Sequence, residues 1–149
     1  MRAVCFTVLA LATIALTNPR PVEACSCIQI TVEQSYEKSV AVFLGRVVKT
    51  ELRNPNRQKS YILRRAGDYV VATLEVYKAW KGELDSLVEI KTGLHNCGIQ
   101  FASGNTYLVY ATKSNNELTT GVCHLTKHFV SADQDLKILD EKYPIRKRR

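Results

Sequence analysis

The sequence predicts a mainly β fold, a small antiparallel barrel of five strands with flanking helices. The first observation is that five segments rich in β-branched and apolar residues, separated by turns, follow one another between residues 40 and 126 of the 149-residue chain. The second is a clear alternation in residues 69–80, where Ala72, Leu74 and Val76 share one face. The third is a stripe of apolar residues at helical spacing in residues 132–142.

The individual elements follow from local patterns. Helical character is found in residues 31–38, and an extension over residues 35–41 stays open. The predicted strands are residues 40–49, 69–80, 87–92, 106–113 and 118–126. A turn is predicted at residues 114–116, between the last two strands. The helix at residues 132–142 has Ser131 as its candidate N-cap, and Pro144 ends it.

Composition limits the class of protein. Hydrophobic residues make up 46% and charged residues 23%, which are globular values and exclude a disordered chain. The formal net charge is +7, so the surface favours polyanionic partners. Five basic residues cluster at residues 51–68, either as a solvated loop or as a site for heparan sulfate or other matrix polyanions. These candidate polyanion-binding residues are Arg53, Arg57, Lys59, Arg64 and Arg65.

Residues 1–24 have the layout of a secretory signal peptide, and residues 25–149 form the predicted domain with a basic tail at 146–149. Residues 3–16 form an uncharged run too short to span a bilayer. Val22 and Ala24 place small residues three and one before a cut between Ala24 and Cys25. An uncleaved anchor is the alternative. Cleavage removes Arg2, Arg20 and Glu23, which leaves a net charge of +6.

The cysteines that remain after this cut are even in number, as expected for disulfides in an oxidising compartment. They are Cys25, Cys27, Cys97 and Cys123. A bond between Cys25 and Cys27 would close a strained ring, so two long-range pairings stay open. The sequence has no HExxH, Gly-x-Ser-x-Gly or phosphate-loop motif, and we expect neither an enzyme nor a cofactor of its own.

Several segments together resemble the inhibitory domain of the tissue inhibitors of metalloproteinases (TIMPs), in the netrin-like superfamily. The predicted mature chain begins Cys25-Ser26-Cys27, as family members begin with Cys-x-Cys. The long strand of residues 69–82 ends in Lys-Gly, as the family's second strand does. Further similarity lies in Cys97-Gly98 and in residues 104–109 and 120–123. The resemblance covers nearly all of residues 25–143.

This resemblance implies an OB-like, netrin-like barrel with disulfides Cys25–Cys97 and Cys27–Cys123. It implies a secreted inhibitor that chelates the catalytic zinc of a metalloproteinase, in trans, through the α-amino group and carbonyl of Cys25. Ser26 would enter the S1′ pocket of the target. The other implied target-binding residues are Cys27, Ile28 and Gln29 on the primed side and His95, Asn96, Cys97 and Gly98 on the unprimed side.

The chain also departs from the family pattern. No cysteine lies between Cys27 and Cys97 or after Cys123, so the usual third disulfide is missing. We therefore expect the early helix and the chain's end to be held less tightly, and we expect no second cysteine-rich domain. The alternative function is a non-inhibitory netrin-like module that binds matrix polyanions or a receptor. We expect a monomer without a nucleic-acid partner or a membrane span.

Overall fold

The structure, a computed structural model, describes residues 25–53, 68–94 and 97–146. Two α-helices flank six strands in this part of the chain. They are α1 (Val32–Lys38), β1 (Ala41–Arg53), β2 (Tyr69–Lys81), β3 (Leu87–Gly93), β4 (Thr106–Ser114), β5 (Glu117–Thr120), β6 (Lys127–His128) and α2 (Asp133–Lys142). Short 3-10 turns lie at Val122–His124 and Phe129–Ser131.

Five of these strands close into a ring. The order along the sheet is β1-β2-β3-β5-β4, and β4 pairs with β1 again to complete the circuit. Every pair is antiparallel except β3 with β5, which is parallel and only two residues long on each strand. The predicted fold class, a five-stranded OB-like barrel with flanking helices, is confirmed. The predicted turn is confirmed too, since Asn115 and Asn116 both adopt positive φ between β4 and β5.

The core has two parts, one inside the barrel and one between the barrel and the helices. Phe43, Leu74 and Ile90 are fully buried in the first. Trp80 and Tyr110 are fully buried in the second, which docks the helices on the barrel wall. Their polar atoms are satisfied there, as burial requires. Trp80 Nε1 donates to Asp140, and the Tyr110 hydroxyl donates to Asp135.

Three predicted boundaries were wrong, and the extension of α1 that stayed open is not formed. Strand β1 ends at Arg53 rather than at residue 49. Helix α1 does not extend to residue 41, because it ends at Lys38 and the Ser39 N–H bonds back to the Ser35 carbonyl. The last predicted strand stops at Thr120 rather than 126, since the chain turns into a 3-10 helix and Leu125 adopts a left-handed backbone with φ 63°. Ser131 is not the N-cap of α2, because it still belongs to the preceding 3-10 turn.

Helices α1 and α2 are joined by contacts that we call the helix clasp. The Tyr36 and Tyr143 rings stack with centroids 3.6 Å apart, and Glu33 forms an ion pair with Lys142. The Tyr36 hydroxyl also donates to the Trp80 carbonyl at 3.2 Å. These contacts link the early helix to the segment after α2, the two parts of the chain that we expected to be held less tightly without a third disulfide.

The ion pair in the helix clasp is expected to survive to low pH. The hydrogen bond from Lys142 lowers the pKa of Glu33 from 4.5 to about 2. Because the folded pKa lies below the unfolded one, the stabilisation is complete above pH 4.5 and is lost as the pH falls to about 2. An NMR titration of the side-chain carboxyl carbon measures this midpoint.

The matched variants for this titration both lie on α2. Lys142→Gln is expected to raise the Glu33 midpoint toward 4.5. Lys137→Gln makes the same charge change at an exposed position of the helix and should leave the midpoint unchanged. A midpoint near 4.5 in the parent protein would show that the pair does not form in solution.

Candidate functional site

The segment that begins at Cys25 has no regular secondary structure and is held by two disulfides. Cys25 is bonded to Cys97, with their Cα atoms 5.5 Å apart. Cys27 is bonded to Cys123, with their Cα atoms 5.2 Å apart. These are the two pairs that the family resemblance implies. We call residues 25–29 the ridge, because the bonds fix them on the end of the barrel where β3 and β5 finish.

The ridge is open to solvent along most of its length. Ser26, Cys27 and Gln29 are exposed, while Cys25 is half-buried. The side chain of Ile28 is 87% exposed, which is high for a large apolar residue. A backbone that is tethered twice and still exposed is already ordered for contact with a partner, so binding carries a smaller entropy cost.

Backbone contacts hold the Cys97 end of the first disulfide. The Val122 N–H donates to the Cys97 carbonyl at 3.0 Å, which joins this loop to the segment after β5. The next loop residues are fixed to the end of β3, since the Ile99 N–H donates to Thr92 Oγ1 at 2.8 Å. Gly98 lies so close to Gly93 that a Cβ on Gly98 would overlap the Gly93 carbonyl.

This close approach predicts that Gly98→Ala destabilises the support of the ridge. The added methyl group cannot fit without a backbone shift, and overpacking of this kind costs about 1–3 kcal/mol. Gly93→Ala is the matched control, because a Cβ there meets no atom within 4 Å. Urea unfolding of both variants, with disulfides verified by mass, makes the comparison. Equal midpoints for the two variants would contradict the predicted contact.

The Cys123 end is held by side chains from the barrel and from α1. Ser35 Oγ donates to the His124 carbonyl at 2.7 Å, so α1 fixes the 3-10 turn that carries Cys123. Thr126 Oγ1 lies 2.6 Å from Thr120 Oγ1 and accepts from the Tyr110 N–H. The turn that carries Cys123 is therefore anchored to the barrel wall as well as to the early helix.

His124 is a residue of this site that the sequence did not indicate. It lines a hollow beside the ridge with Cys97, Gly98, Gly121 and Cys123. Its Nδ1 atom is buried and finds no hydrogen-bond partner among the described residues. Its place next to Cys123 is the one signal that could have pointed to it.

A comparison with protein-family models matches residues 23–143 to the family described as Tissue inhibitor of metalloproteinase. The chain belongs to this TIMP family. A search of curated proteins finds no match. TIMP proteins are inhibitors rather than enzymes, so membership implies a metalloproteinase inhibitor with metalloproteinase partners.

The structure places most of the TIMP-derived site residues together. Cys25, Ser26, Cys27, Ile28 and Gln29 form the ridge, and Cys97 and Gly98 lie beside it through the first disulfide. His95 and Asn96, which the resemblance also assigns to target binding, fall outside the described residues.

The side chains of this TIMP chain do not themselves form a metal site in the part that the structure describes. No group of three His, Cys, Asp or Glu residues there could hold a metal ion. The four cysteine sulfurs of the site are bound in disulfides, so none is available as a thiolate ligand. Among the described helices, none is long and apolar enough to cross a membrane.

The structure describes one of the five candidate polyanion-binding residues. Arg57, Lys59, Arg64 and Arg65 lie outside the described residues. Arg53 is described, and its guanidinium lies 3.2 Å from Glu51 and 3.6 Å from Glu89. Lys49 and Arg53 together lower the pKa of Glu51. Arg53 is therefore engaged with carboxylates of its own chain.

Proposed function

We propose that this TIMP family member is secreted and inhibits zinc metalloproteinases of the matrix metalloproteinase type. Cleavage between Ala24 and Cys25 would free the α-amino group of Cys25. That nitrogen and the Cys25 carbonyl oxygen would then chelate the catalytic zinc of the target. The observation that carries the proposal is the exposed ridge, which two disulfides tether at its first and third residues.

The chemistry follows from the coordination of a catalytic zinc. Such a zinc has three protein ligands and a water in its fourth position, and the water supplies the nucleophile for peptide hydrolysis. A bidentate donor that displaces the water stops the reaction. The Cys25 sulfur cannot be that donor, because it is bonded to Cys97. The main-chain nitrogen and oxygen of the same residue remain, and they form a five-membered chelate ring with the metal.

Protonation of the amine competes with zinc binding. An unperturbed α-amino group has a pKa of about 7.7–8.0, and only its neutral form is a ligand. Inhibition is therefore expected to weaken as the pH falls below neutrality. Ser26 would point toward the S1′ pocket of the target, where its small side chain allows many targets but fills a deep apolar pocket poorly.

The test is a titration of the mature chain, beginning at Cys25, against catalytic domains of matrix metalloproteinases and of ADAM proteinases. We expect stoichiometric inhibition of at least one of the matrix enzymes. A small hydroxamate, which binds the same zinc, is expected to compete with the chain. Absence of inhibition across the panel, with both disulfides verified by mass, would overturn the proposal.

A further inference from the structure

The wall of the barrel opens between β3 and the β4–β5 hairpin. The two parallel strands pair only at Lys91 with Thr119 and at Thr92 with Thr120. This register does not continue along the first half of β3, so the strands diverge there. A groove of about 370 Å³ lies in the gap, which we call the seam groove.

The floor of the seam groove is apolar. Leu84 and Val88 line it and are buried members of the barrel core. Leu118 also lines the groove and packs against the same core. Leu87 lies at the edge of the groove and is 56% exposed. An apolar side chain inserted from outside would therefore contact the core directly, and its burial would stabilise a complex.

The charge around this floor is mainly negative. Glu83, Asp85, Glu89 and Glu117 line the groove, and Lys91 is the one basic residue among its lining residues in the described part of the chain. The Lys91 ammonium lies 3.0 Å from Glu117 and is already paired. Arg53 approaches Glu89 from outside the lining, at 3.6 Å. Carboxylates thus exceed basic groups on a protein whose net charge is +7, and the groove is complementary to a basic segment.

The backbone of β3 adds a second kind of contact. One edge of β3 pairs with β2 along its whole length, from Leu87 to Gly93. Among the described strands, only β5 pairs with the opposite edge, and it covers Lys91 and Thr92 alone. Alternate residues of a strand direct their N–H and C=O groups to each side. The first half of β3 therefore presents backbone groups to which an extended peptide could pair as an added strand.

The seam groove and the hollow beside the ridge share no lining residue. Cys97 follows the end of β3 and Cys123 follows the end of β5, whereas the groove lies beside the start of both strands. A strand rises about 3.3 Å per residue, so Val88 lies roughly 16 Å from Gly93 along β3.

We propose that the seam groove is a second protein-binding site, independent of zinc, that takes an extended basic segment of a partner protein. An apolar side chain of that segment would rest on Leu84, Val88 and Leu118. Lys or Arg side chains on either side of it would meet the carboxylates. A second copy of this chain is disfavoured as the occupant, because two mature chains, each with a net charge of +6, repel each other.

The experiment uses the mature chain and a blocked peptide, acetyl-Arg-Lys-Leu-Val-Lys-Arg-amide, as the probe. Backbone amide NMR is expected to show saturable shifts confined to residues 83–91 and 116–118. The same peptide with Glu in place of Lys and Arg should not bind. Methylation of alternate backbone nitrogens should weaken binding about tenfold or more, because it removes the strand hydrogen bonds.

Charge variants of the exposed surface complete the test. Asp85→Lys is expected to weaken the peptide about tenfold or more, because repulsion replaces attraction at the groove. Glu141→Lys makes the same charge change on α2 and should leave the affinity within about twofold. Peptide affinity is read by NMR and not by inhibition of a proteinase, so this test stands whether or not the inhibitory proposal holds.

Three results would overturn the proposal. The first is a set of peptide shifts outside the groove, and the second is an equal loss of affinity in both charge variants. The third is dilution-dependent shifts at the groove in the absence of peptide, which would assign it to a second copy of the chain.

Discussion

One alanine added before Cys25 is expected to reduce inhibition of a matrix metalloproteinase by about a hundredfold or more, which is about 2.7 kcal/mol of binding free energy. The added residue converts the α-amine of Cys25 into an amide, whose nitrogen lone pair is delocalised and does not bind zinc. The carbonyl oxygen alone cannot form the chelate. The inhibition constants of the authentic and extended chains, measured with one enzyme preparation, test this.

Two controls separate the loss of the amine from other effects of the extension. An alanine added after Arg149 makes the same change in composition and should leave inhibition unchanged. Acetylation of the Cys25 amine blocks the ligand with a smaller group and should reduce inhibition as the alanine does. If the acetylated chain inhibits normally while the extended chain fails, steric bulk explains the loss. If both inhibit normally, Cys25 is not the zinc ligand.

Much of the fold was predictable because its strands carry strong local patterns. Residues 69–80 alternate, and β2 is found at Tyr69–Lys81, within one residue of the prediction. The parallel pairing of β3 with β5, which closes the predicted barrel, was not visible in the same way. The contact of Lys91 and Thr92 with β5 depends on how far β3 and the β4–β5 hairpin curve toward each other. That curvature depends on the whole sheet, so neither strand carries a residue pattern that predicts it.

The errors around β5 and α2 have two different physical causes. Val122 and Leu125 continue the apolar pattern of a strand, yet the chain turns at Gly121 because Cys123 is bonded to Cys27 and His124 is fixed by Ser35. A long-range tether overrides the local preference there. The N-cap was misplaced at Ser131 for a local reason, since Phe129–Ser131 form their own 3-10 turn.

The ridge could be predicted only in part from the residues themselves. The cysteine count and the strained ring between Cys25 and Cys27 left two pairings open, and the family resemblance supplied the choice between them. No residue pattern in the sequence predicted the seam groove. Leu87, Glu89 and Lys91 alternate with the buried Val88 and Ile90, as in any strand with one exposed face. The groove follows from the short contact between β3 and β5, which is a tertiary feature.

Replacing Cys27 and Cys123 together by serine is expected to destabilise the protein more than any other change considered above. The bond joins residues 96 apart in sequence, and the loss of such a loop constraint costs about 4–5 kcal/mol on the chain-entropy model. Domains of this size are stable by only about 5–15 kcal/mol. The urea midpoint of the double variant should fall by about 2 M or more. Both proteins are unfolded without added oxidant or reductant.

The same double variant tests whether the second disulfide contributes to inhibition or only to the stability of the domain. Cys25 keeps its amine, its carbonyl and its bond to Cys97, so the proposed zinc ligands are unchanged. Inhibition should persist at low temperature, weakened about tenfold because residues 26–29 must then be ordered on binding. A parental urea midpoint would show that the second bond does not constrain the unfolded chain. Complete loss of inhibition in a still-folded variant would show that Cys27, rather than the chelate alone, positions the ridge for the metal.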